Sequence, residues 1–189
     1  MSEFIFTILL AVIVLSLTTI YLTDTARIAL IFLGALYLCV FFLLMQVWPV
    51  GLATVVLLTG MLTVIIINSF CSNLVFSIDT PRAALDILII VFVGVITFAF
   101  APQLSAYLSE SSQFLIIGFF MFAVGLLKAG ISSNAFQVML SLFIFSLGFQ
   151  VIYAPLEGSA LVTALFSIIQ IVLAFVASRL VVQHNEEVQ

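Results

Sequence analysis

Six short breaks divide this 189-residue chain into seven apolar runs, and its four basic residues, Arg27, Arg82, Lys128 and Arg179, fall beside those breaks or at the end of the last run. An α-helix needs roughly 20 apolar residues to cross a hydrocarbon core about 30 Å thick, which is about the length of each run. With 66% hydrophobic and 6% charged residues and a mean hydropathy of +1.49, a water-soluble domain of this length would expose large apolar surfaces to solvent. The pattern predicts an all-α, polytopic membrane helix bundle that forms a single transmembrane domain over residues 1–189.

The predicted spans lie near residues 4–22, 28–46, 50–69, 84–101, 113–128, 135–153 and 159–181. The Asp24-Thr25-Ala26-Arg27 segment closes the first break. Trp48-Pro49-Val50-Gly51 is the least polar break and reads as a tight hairpin, because proline disfavours helix for the residue before it and tryptophan prefers the bilayer interface. Residues 27–69 are too long for one helix, at roughly 65 Å for a rise of about 1.5 Å per residue. Ser72 to Pro81 and Pro102 to Ser112 are the longer connections, and Lys128 to Asn134 and Ala154 to Gly158 make the last two turns, each with the Gly or Pro that ends a helix. The start, Met1-Ser2-Glu3, has no basic stretch before its apolar run and no small-residue cleavage site after it, so a retained first helix is expected.

Counting sides across seven spans puts Arg27, Arg82 and Lys128 in or beside odd-numbered connections and Arg179 at the end of the last helix. By the positive-inside rule the N-terminus is outside and the C-terminus cytoplasmic, in a multi-pass protein of the inner or plasma membrane. Six spans would break this alternation.

An ionisable side chain inside a bilayer is expensive, so each one is a functional candidate. Asp86, about a turn into the fourth span, is the deepest acid, and Arg82 stands one helical turn before it as an i,i+4 partner. The pair reads as a local interfacial contact, with an ion path as the alternative. Glu110 and Glu157 belong to outer connections, and His184 to a polar tail. The two cysteines, Cys39 and Cys71, have no metal-like spacing and read as buried thiols. We find no carboxylate pair, nucleophile with a base, or phosphate-binding glycine loop, so the chain is not expected to be an enzyme in its own right.

Uncharged polar residues carry more pattern. Ser159, Thr163, Ser167, Gln170, Ala174 and Ser178 share one face of the last helix. Small hydroxyl residues let another helix approach, and Gln170 can hydrogen-bond across the contact. The sixth span has its own row, with Asn134, Gln137 and Ser141 near its cytoplasmic end and Gln150 near the other. These residues form either a packing seam or a hydrated path.

The stretch from Gly125 to Asn134 (Gly-Leu-Leu-Lys-Ala-Gly-Ile-Ser-Ser-Asn), the run from Gln137 to Gly148, and Ala154-Pro-Leu-Glu-Gly-Ser159 before a final helix resemble the K subunit of respiratory complex I. The same residues resemble the E component of hydrogenase-4 type membrane complexes. The likeness is closer to small membrane proteins that accompany antiporter-like complex I subunits in some bacteria, where Gly148-Phe-Gln-Val-Ile-Tyr-Ala154 is similar to a Gly-Phe-Glu-Ile-Leu-Tyr-Ala pattern. It is confined to the last three helices.

The resemblance implies partners that are other integral membrane subunits, antiporter-like, together with lipid and no nucleic acid. In the K subunit, ion translocation rests on glutamates in its second and third helices. This chain has Phe143 and Gln150 in its sixth span and Gln170 in its seventh. It is therefore expected to be a non-catalytic structural or coupling subunit of an energy-converting complex, with a small self-contained transporter or channel as the alternative. No cofactor is expected, since the only histidine lies in the tail and cannot make a haem pair.

Overall fold

The computed structural model describes residues 3–23, 25–71, 80–108, 112–132 and 134–188, and the side chains of residues 6–23, 25–71, 84–100, 103, 113–132 and 134–183. The described residues form seven helices: α1 (Glu3–Leu22), α2 (Ala26–Leu44), α3 (Val50–Cys71), α4 (Thr80–Leu108), α5 (Ser112–Ile131), α6 (Ala135–Tyr153) and α7 (Ala160–Val188). Five of them, α2, α3, α5, α6 and α7, are long and apolar enough to cross a membrane within the described residues. The described side-chain stretches of α1 and α4 give shorter apolar segments, Phe6–Leu22 and Ala84–Phe100. The chain is thus a helical, multi-pass membrane protein.

Some helix ends differ from the apolar spans, because a helix does not stop where hydropathy falls. The α4 helix continues through Pro102 to Leu108, over residues where the sequence predicts a connection. Proline there lacks the N–H that would pair with the Phe98 carbonyl, which removes one bond of the ladder without ending it. The connections expected over Ser72–Pro81 and Pro102–Ser112 fall partly on residues 72–79 and 109–111, outside the described residues.

Each helix touches its neighbours in a closed ring, in the order α1, α2, α3, α7, α6, α5, α4 and back to α1, and α2 also meets α6 across the middle. Central placement shows in burial: α2 and α6 bury 56% and 61% of their apolar windows, whereas α7 buries 17%. Leu33, Leu36, Tyr37 and Val40 of α2 and Leu140, Phe143, Ile144 and Leu147 of α6 are fully enclosed. By contrast, Leu88, Phe92 and Val95 of α4 and Leu161, Ile168 and Val172 of α7 face outward. In water that surface would be an aggregation hazard; in hydrocarbon it is solvated.

Helices in lipid gain little from apolar burial, so close backbone approach does more of the work. The α5–α6 pair is the clearest case. A Cβ on Gly125 would lie 2.5 Å from the Phe145 nitrogen, and one on Gly148 would lie 2.3 Å from the Phe122 nitrogen. The two backbones meet only because both positions lack side chains. Asn134 starts α6 by accepting a hydrogen bond from the Phe136 N–H at 2.9 Å, a side-chain cap for a helix end.

The predicted hairpin around Trp48 has a more specific role than interfacial anchoring. Trp48 is 5% exposed and donates its indole N–H to the Ala154 carbonyl at 2.8 Å, which ties the α2–α3 turn to the α6–α7 turn. These two even-numbered connections therefore share one end of the bundle.

Candidate functional site

At the opposite end, four helices converge on a small buried polar cluster. Lys128, three residues before the end of α5, points its ammonium at Asp86 of α4, with 2.5 Å between Nζ and Oδ1. The side chains are 3% and 4% exposed, so the ion pair is enclosed by protein. The Lys128 ammonium also stands 4.8 Å from the centre of the Tyr21 ring on α1, in cation–π range.

The hydroxyl of Tyr21 continues the cluster into α6. It lies 3.2 Å from the Ser141 oxygen, and Ser141 donates its own proton to the Gln137 carbonyl at 2.7 Å. Since that proton is committed, Tyr21 is the donor to Ser141. The Gln137 side-chain oxygen receives a long approach from Ser132 at 3.5 Å. Burying two opposite charges costs several kcal/mol each in desolvation, and only good geometry and further polar contacts offset it. The short ion pair and the Tyr21 ring supply those terms.

The local reason is visible along each helix. Asp86, Ile90, Val93 and Thr97 follow the buried stripe of α4, and Ile117, Met121, Val124 and Lys128 follow that of α5. Each charge sits at the membrane-edge end of an inward stripe. Sequence reading assigned Asp86 to Arg82, whose side chain is outside the described residues, and used Lys128 only as a topological charge. The signal that could have joined them is Lys128 lying within α5 and not beyond it.

The structure separates the two polar rows predicted from sequence. Gln137 and Ser141 face the α1 and α5 side of α6, with Tyr21. Gln170 is buried in α7 and donates through Nε2 to Ser146 of α6 at 3.3 Å, a partner the sequence did not single out. Thr163 is buried, while Ser159 and Ser167 are half-buried. Thr163 and Ser167 spend their hydroxyl protons on carbonyls four residues back, those of Ser159 just before α7 and of Thr163, at 3.0 and 2.9 Å. Gln150 is buried, and its Oε1 has no hydrogen-bond partner among the described residues. Ala174 and Ser178 complete the inward face of α7.

The charge inventory limits the chemistry. Among the described residues, Asp86 and Lys128 are the only buried side chains that carry formal charge. No group of three or more His, Cys, Asp or Glu side chains is assembled there to hold a metal ion. Glu110 lies outside the described residues, as does the side chain of His184, while Glu157 is exposed and accepts the Tyr153 hydroxyl at 2.8 Å. Comparison with protein-family models, curated proteins and solved structures finds no match for this chain.

Proposed function

We propose that the chain is a non-catalytic integral subunit of a larger energy-converting membrane complex, complex I-like or cation-proton antiporter-like, in which it has a structural or coupling role. The observation that carries this reading is the interior charge balance. Along the middle of the bundle the buried polar side chains include Thr63 and Gln170, with half-buried Ser146 beside Gln170, all uncharged. An amide or hydroxyl relays a hydrogen bond but does not hold a proton or counterion as a carboxylate does. The two buried charges cancel each other near one end and tie α4 to α5. Membership of a complex rests on the resemblance of α5 to α7 to the K subunit, with Phe143, Gln150 and Gln170 in place of its glutamates.

The seven-span topology belongs to the same proposal. Trp48 and Ala154 bring the second and sixth connections together at one end. Tyr21, Asp86, Lys128 and Ser141 bring together the helix ends that flank the first, third and fifth connections. This supports strict alternation of all seven helices. In this reading Arg27, Lys128 and Arg179 share one side, which the positive-inside rule makes cytoplasmic, with the C-terminus on it, and the plasma or inner membrane is part of the same proposal.

Reconstitution tests the functional half. Liposomes that contain the purified chain alone, loaded with a pH-sensitive dye and given a proton or sodium gradient, should leak no faster than empty ones. A gradient-driven flux that Asp86→Asn abolishes would overturn the accessory reading in favour of a self-contained transporter.

A further inference from the structure

A groove of about 520 Å³ lies between α1, α4 and α5, walled in part by Leu10 and Val14 of α1, Gly94, Thr97 and Phe98 of α4 and Phe120 of α5. Gly94 makes room for it, since a Cβ there would meet only the Phe120 ring, at 3.7 Å. Thr97 is the one polar side chain among the described lining residues, and it is 6% exposed. A threonine within a helix commonly spends its hydroxyl proton on the carbonyl four residues back, as Thr18, Thr54 and Thr59 do here at 2.8, 2.7 and 2.8 Å. The Thr97 hydroxyl makes no such bond and has no other partner among the described residues, which leaves a donor unpaired in an apolar wall. The apolar segment of α4 begins at Ala84, so at about 1.5 Å per residue Thr97 lies about 20 Å into a hydrocarbon core about 30 Å thick.

We propose that this groove binds a neutral, lipid-soluble molecule with a ring carbonyl, of the isoprenoid quinone class, which accepts the Thr97 hydroxyl proton. Polar complementarity and depth together favour that occupant. The wall offers one donor and no charge, which suits a single neutral acceptor on an apolar body. A phospholipid or a fatty acid keeps its charged head at the bilayer surface, about 10 Å beyond Thr97, because charge is expensive in hydrocarbon. A quinone ring carries its carbonyls into the hydrocarbon without charge, and Phe98 and Phe120 give a flat ring aromatic surface to lie against. The volume falls within the roughly 300–1,000 Å³ of small-molecule sites. A partner helix fits less well, since it spends its mid-span carbonyls on its own ladder and leaves none for Thr97. The inference concerns binding alone; it rests on the membrane reading and is independent of any partner subunit.

Native mass spectrometry of the full chain in mild detergent, with equimolar decyl-substituted benzoquinone and decylbenzene as probes, tests it. The wild type should retain the quinone in preference. Thr97→Val removes the donor at nearly constant shape and should lower quinone retention about threefold, the worth of an average interhelical hydrogen bond in a membrane, while leaving decylbenzene unchanged. Gly94→Leu, in protein that keeps its wild-type circular dichroism, should fill the groove and lower retention of both probes. Thr54→Val should change neither, because the Thr54 hydroxyl is bound to the Val50 carbonyl and does not line the groove. Equal retention of the two probes by the wild type, unchanged quinone retention in Thr97→Val, an equal loss in Thr54→Val, or full quinone retention in a folded Gly94→Leu would each overturn the proposal. So would a co-purifying membrane subunit that both Thr97→Val and Gly94→Leu release, which would assign the groove to a partner helix.

Discussion

Neutralising one member of the Asp86–Lys128 pair should destabilise the bundle far more than replacing both. With side chains 3% and 4% exposed, neither partner can regain full hydration when the other is removed. Stranding one charge of a buried pair costs about 3–5 kcal/mol. The two single variants should differ within that range. In Asp86→Asn the ammonium keeps the Tyr21 ring at 4.8 Å, and its flexible stem can carry it toward the nearby end of α5, so the cost falls near the lower bound. In Lys128→Met the short carboxylate has no such escape, and the cost falls near the upper one. The double variant Asp86→Leu, Lys128→Met removes both desolvation penalties and should lie within about 1 kcal/mol of wild type. Trp48 is the only tryptophan, and it sits at the opposite end of the bundle, so its fluorescence during denaturant titration in micelles reports global unfolding. Single variants within 1 kcal/mol of wild type, or a double variant equal to the sum of the singles, would refute the reasoning.

Four further outcomes come from the packing. Gly148→Ala should push α5 and α6 apart and cost about 1–3 kcal/mol, since its Cβ would lie 2.3 Å from the Phe122 nitrogen. Gly94→Ala, whose Cβ would meet only the Phe120 ring at 3.7 Å, should be neutral or mildly stabilising in the same melting assay. Trp48→Phe leaves the Ala154 carbonyl without its indole donor and should lower stability by about 1–3 kcal/mol, read by circular dichroism because the fluorophore is lost. Gln170→Leu should cost little, about 0.6 kcal/mol, because interhelical hydrogen bonds in membranes average that value, and a much larger loss would mean that Gln170 does more than hold Ser146.

The helices were legible because hydropathy reports the solvent directly. The sixth span, predicted near 135–153, coincides with Ala135–Tyr153, where Asn134 provides a cap and Pro155 follows the end. At Pro102 the same reading failed, since a proline breaks one bond of a helix but does not have to end it. Helix order around the ring was not legible at all. In lipid the outward faces of α4 and α7 are as apolar as the core, so no apolar periodicity marks the side that Asp86 faces. The inward stripe of α7 could still be read, because its small and polar residues recur at helical spacing. The Asp86–Lys128 pair joins residues 42 positions apart, and local spacing pointed only to Arg82, whose side chain lies outside the described residues. The close approach at Gly125 and Gly148 was likewise hidden, as a glycine in an apolar run says nothing of its neighbour until the partner helix is placed.

Purification of the tagged full chain from native membranes in mild detergent, with the mass and identity of each co-migrating protein, tests the central claim most directly. The accessory-subunit account predicts stoichiometric recovery with antiporter-like or complex I-like membrane subunits. A monodisperse single chain or homo-oligomer, with no stoichiometric partner under conditions that keep Trp48 fluorescence native, would contradict it.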